Sequence, residues 1–128
     1  MLNVKGKNIE ITRGNILPLI VDALNEVDGS LYQFKSDDVL RFKIFQAKNV
    51  DNVFLQKDFT IGEITTQKEI VLTADEMKIG ELKSKPVKYW YEIELNPDTP
   101  NTQTIIGYTV DEGPAILTIL PEGGDKVD

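Results

Sequence analysis

Residues 87–95, Val-Lys-Tyr-Trp-Tyr-Glu-Ile-Glu-Leu, alternate so strictly that an extended strand is the one regular structure that sorts them. Successive side chains of a strand point to opposite faces. Tyr89, Tyr91, Ile93 and Leu95 therefore take one face, and Lys88, Trp90, Glu92 and Glu94 the other. A helix would scatter the same apolar residues around its axis. Residues 39–46 repeat the pattern, with Leu40, Phe42 and Ile44 set against Arg41 and Lys43.

The remaining chain is punctuated at short intervals. Residues 8–12 form a β-prone run ending at Gly14, which offers the positive φ that a bulge or turn needs. Residues 16–24 are nearly all apolar but contain Pro18, which argues for an edge strand. Asp28-Gly29 is a hairpin signal, and Asn49, Asp51 and Asn52 predict a turn before a strand at 53–61. Residues 69–72 are a further short strand. Thr73 and Glu76 have capping-box spacing and predict a helical turn or two through Leu82. Beyond the turn-forming residues 96–101, Thr104, Ile106, Tyr108 and Val110 alternate, and residues 115–120 are the last strand. Seven or eight short strands at even spacing predict an all-β, antiparallel β-sandwich with one short helical turn before the penultimate strand pair. The sandwich is expected to span residues 1–120 as a single domain, with 121–128 a flexible tail.

Composition narrows the chemistry. A chain of 128 residues suits one domain and can bury roughly two-thirds of its unfolded surface. It has neither cysteine nor histidine, so thiolate nucleophiles, disulfides, histidine general bases and the commonest zinc ligands are all missing. Its 21 acidic and 14 basic residues leave a net charge of −7, which repels nucleic-acid phosphates and anionic lipid alike. The N-terminus has no signal-peptide pattern, and no apolar run approaches the ~20 residues that span a bilayer. Neither a nucleic-acid nor a membrane partner is expected, and no cofactor.

Candidate sites were weighed against plainer roles. Asp22, Glu26, Asp28, Asp37 and Asp38 lack the ligand spacing of a calcium loop and suit turns and solvent better, so no metal site is expected. With so many acids, some carboxylate pair always falls at a glycosidase separation, and without a cleft that means nothing. Trp90 differs. Alternation points it outward between Lys88 and Glu92, as an interface anchor or a sugar-stacking ring, unless a loop or a neighbour on the same sheet covers it. These three residues are the candidate partner contact. Tyr89 and Tyr91 read as structural, with a hydroxyl hydrogen-bonding back toward the helical turn as tyrosine corners do.

The order of features also carries a resemblance. Ile9-Glu-Ile-Thr-Arg-Gly-Asn15 leads into an apolar strand and an Asp-Gly hairpin. Then come Val39-Leu-Arg-Phe-Lys-Ile44, Ile70-Val-Leu-Thr-Ala-Asp-Glu76 and Tyr89-Trp-Tyr-Glu-Ile-Glu-Leu95. From about Ile9 to Leu120 this resembles the small immunoglobulin-like domains of tailed-bacteriophage and prophage structural proteins, in particular the N-terminal domain of baseplate upper proteins. The resemblance implies an immunoglobulin-like sandwich in a virion and no catalytic residues. It implies partners among other tail or baseplate proteins, with a homo-oligomer as a further arrangement. A carbohydrate-binding module using Trp90 is the main alternative, and a carboxylate-only hydrolase the third.

Overall fold

The two most strictly alternating segments pair with each other at the centre of the molecule. The computed structural model describes residues 2–5, 7–25, 27–80 and 85–122. Among them nine strands follow in order: β1 (Leu2–Lys5), β2 (Asn8–Thr12), β3 (Leu17–Val21), β4 (Val39–Gln46), β5 (Asn49–Thr60), β6 (Lys68–Leu72), β7 (Val87–Leu95), β8 (Gln103–Ile106) and β9 (Ala115–Leu120). The large sheet runs β1-β2-β9-β7-β4-β5, with β8 also on β7, and β3 and β6 form a second, two-stranded sheet.

Leu40, Phe42 and Ile44 of β4 lie opposite Leu95, Ile93 and Tyr91 of β7, and all six are buried. Phe42 and Tyr91 stack with ring centroids 5.6 Å apart. Across the interior, Leu17, Val21, Ile70 and Leu72 of the small sheet belong to the same buried cluster, which Phe34, Ile61 and Met77 close from the connecting segments. Each such side chain contributes about 1.5–3 kcal/mol by leaving water. The chain is thus an all-β sandwich of unequal sheets, as the alternation predicts.

Four expectations need correction. The sandwich is not wholly antiparallel, because β2 runs parallel to β9, with Ile9 opposite Leu117 and Thr12 opposite Leu120. The turn expected at 49–52 falls at Ala47 and Lys48, where Lys48 has φ 66°, so residues 49–52 extend β5. There the Asn52 side chain donates to Gln46 Oε1 at 2.8 Å, so its amide serves the hairpin instead of a turn. The capping box closes as expected, Thr73 N donating to Glu76 Oε1 at 2.8 Å and Glu76 N to Thr73 Oγ1 at 3.2 Å, but it starts a single turn and no helix. Buried Met77 and Ile79 are two residues apart, a spacing that an extended chain satisfies and a helix does not. Leu82, the expected end of that helix, lies outside the described residues, as do 123–128 of the expected tail. Finally, the strand expected through 104–110 stops at Ile106.

That last break shapes one side of the molecule. β8 pairs with β7 over residues 93–95 and β9 pairs with it over residues 87–91. The two are segments of a single lane along β7, and residues 107–114 leave the lane between them. At Gly107 an added Cβ would stand 2.7 Å from the Thr104 methyl, so a larger residue there would have to push the Thr104 side chain aside.

Candidate functional site

Register fixes what surrounds Trp90. Phe45 of β4 and Ile116 of β9 lie directly opposite it on either side, and Val53 of β5 lies opposite Phe45. Four apolar side chains thus cross four strands on the outward face of the large sheet. Phe45 is buried, Trp90 and Ile116 are half-buried and Val53 is exposed. Directly opposed side chains in a ladder stand close enough to interact, which joins Phe45, Trp90 and Ile116 into one strip, with Val53 at its end where the β4–β5 register shifts on either side of Phe45.

The excursion at 107–114 supplies a second aromatic. Tyr108 places its ring 5.9 Å from Trp90, inclined by 45°, and is 66% exposed, while Val110 beside it is 95% exposed. An internal hairpin contact, Thr109 with Gly113, closes the excursion on itself. Its base is held by Lys7, whose Nζ donates to Gly107 O at 2.9 Å and Gly113 O at 2.8 Å and faces Glu112 at 3.7 Å. The Tyr91 hydroxyl donates in turn to the Lys7 carbonyl. This core tyrosine is therefore structural as expected, but it ties down the N-terminal segment and not the turn after β6. Tyr89 does reach that turn: its hydroxyl stands where a side chain on Gly80 would be.

Charges frame the strip. Lys88 is exposed at one side. On the other, Lys43 lies 3.7 Å from Glu92 and 3.5 Å from Glu94, and Arg41 grips Asp58 through two bonds of 2.8 and 3.1 Å. Desolvation, and then the neighbouring Glu94, push the Glu92 carboxyl above its ordinary value against the pull of Lys43. Trp90, Lys88 and Glu92 do share one face, yet Glu92 is half-buried and engaged with Lys43. Phe45, Tyr108, Val110 and Ile116 were missed. The consecutive Ile44-Phe45 pair, apolar on both faces, was the available signal for an apolar strip on the outer side.

The acidic residues stay dispersed. Asp38 is buried and accepts from Lys35 N, the Tyr32 hydroxyl and Asn96 Nδ2. Asp28 accepts from both the backbone and hydroxyl of Ser30. Asp22 and Asp37 are exposed, and Glu26 lies outside the described residues. Among the described residues no three acidic side chains converge as metal ligands would.

A cleft of about 450 Å³ opens elsewhere, between the hairpin at 23–32 and β8. Ala23, Leu24, Tyr32, Leu95, Gln103 and Ile105 line it, and it continues along Asp22, Thr104 and Ile106. No helix among the described residues is long and apolar enough to cross a membrane. The chain matches no protein-family model, no curated protein and no solved structure.

Proposed function

We propose that this chain is a non-enzymatic assembly module, a structural part of a tailed-phage or prophage virion that joins tail or baseplate neighbours through the outer face of its large sheet. The observation that carries the reading is the strip Val53–Phe45–Trp90–Ile116, extended by a clamped loop that holds Tyr108 and Val110 out to solvent. Half-buried aromatics ringed by charges are what dominates binding energy at protein interfaces. The strand order supports the immunoglobulin-like part of the proposal. β9, β7, β4 and β5 follow one another in the large sheet, with β3 and β6 opposite, as strands G, F, C and C′ lie against B and E in that fold. Glycan stacking on the same rings is the weaker reading, since Trp90 and Tyr108 are tilted 45° to each other and offer no common flat platform.

Two measurements test it together. Mass spectrometry of purified particles from an induced host should find the chain, and its absence from them would sink the virion assignment. Trp90→Ala should weaken incorporation by about 2 kcal/mol or more, roughly thirtyfold. Tyr108→Ala should do the same with no cost to folding, because that ring is mostly in solvent. Normal incorporation of both variants would place the contact on another face.

A further inference from the structure

We infer that the cleft beside β8 accepts an extended, lysine- or arginine-bearing apolar segment of a second protein as an added strand. This surface is distinct from the Trp90 strip. The proposal shares with the assembly reading only the premise that the partner is a protein.

The first ground is how the open strand edges differ. An unpaired edge offers backbone donors and acceptors to any passing chain, and proteins blunt such edges with proline or charge. β3 carries Pro18, β5 carries Asp51, Lys57 and Asp58, and β6 carries Lys68 and Glu69. β8 reads Gln-Thr-Ile-Ile, with neither proline nor charge, and among the described residues it pairs with β7 alone. Its shortness is its one safeguard. An edge left bare where the others are guarded is suited to a dedicated strand.

The second ground is what lies beside that edge. Adding a strand takes affinity from main-chain hydrogen bonds and specificity from pockets for alternate side chains. The cleft provides the pocket. Ile105 and Ile106 are half-buried against the core, buried Leu95 forms part of the wall, and Leu24 on the far side is 63% exposed. Every second side chain of an incoming strand would have apolar surface to cover.

Charge sets the remaining positions. Among the described residues, Asp22 and Asp28 are the ionisable lining residues other than Tyr32, and no lysine or arginine lines either cleft segment. The chain as a whole carries a net charge of −7, which steers cations toward it. An acidic strand would be repelled at the same place.

The test uses the full chain, nitrogen-labelled, titrated with two short synthetic peptides: one alternates valine with lysine, the other valine with glutamate. The lysine peptide should shift the amides of residues 103–106 and 22–25, slow hydrogen exchange along β8, and bind more weakly as salt rises. The glutamate peptide should do none of these. Asp22→Lys, at an exposed position, should weaken the lysine peptide roughly tenfold, and Leu24→Asn, which removes apolar surface without adding charge, should abolish its binding. Trp90→Ala should leave binding unchanged, which separates this site from the assembly strip. Shifts confined to other residues, or equal binding of the two peptides, would overturn the proposal.

Discussion

Asp37 and Asp38 are neighbours in the chain, yet Asp37 is exposed while Asp38 is 4% exposed and fully hydrogen-bonded. Its two oxygens collect the backbone of Lys35, the hydroxyl of Tyr32 and the side-chain amide of Asn96, at 2.9, 2.9 and 3.1 Å. Desolvation alone would raise its pKa, but these three donors outweigh it and hold the carboxyl below the ordinary 3.8. A depressed carboxylate stabilises the fold above its unfolded pKa and ceases to do so as pH falls through the folded value. Asp38→Asn should therefore cost about 2–3 kcal/mol at neutral pH, since an amide cannot accept from all three donors. Urea midpoints should show the gap between variant and parent closing as pH falls below the ordinary carboxylate value of 3.8. An equal gap at all pH values would mean that packing, not charge, is what the variant loses. Glu92 works with the opposite sign. Its raised pKa means that ionisation, as pH rises past 4.5, takes stability away. Which of two adjacent aspartates turns inward was not legible in the sequence, because the choice depends in part on Asn96, 58 residues further along the chain.

β4, β7 and β9 were readable to the residue or nearly so, because each has one face in the core and the alternation records it. β5 and β8 were not. β5 is an edge strand whose first six residues are all exposed, so its apolar Val50, Val53 and Phe54 follow no alternation between core and solvent that would mark its start. The run from Thr104 to Val110 does alternate, but Lys7 captures the carbonyls of Gly107 and Gly113 and draws the chain out of the sheet. A lysine far away in sequence overrides a local pattern. Lys7→Met keeps the aliphatic stem and removes the three donors. It should cost about 1.5–3 kcal/mol, the range for hydrogen bonds to a charged group, and speed amide exchange in 108–113 well before the rest of the sheet. Unchanged protection there would mean that the Thr109–Gly113 contact holds the excursion unaided.

The all-β sandwich was legible as a whole because regular spacing and two-residue periodicity survive any permutation of strand order. Order itself was not. That β2 joins β9 in parallel leaves no local trace, since the partners come from opposite ends of the chain. This pairing has a mechanical consequence. If load is applied through Leu2 and Glu122, it first reaches the Leu2–Ile11 end of the β1–β2 ladder and opens that ladder one pair after another, like a zip. The pull then enters β2 at Asn8 and leaves β9 at Leu120, opposite ends of two parallel strands, so their bonds must all break at once in shear. A force ramp should record a weak early yield followed by a strong one, and Arg13→Pro, which removes the amide that donates to Leu120 O beyond the β1–β2 ladder, should lower only the second. As a tether the domain would let out a little slack under tension and then hold.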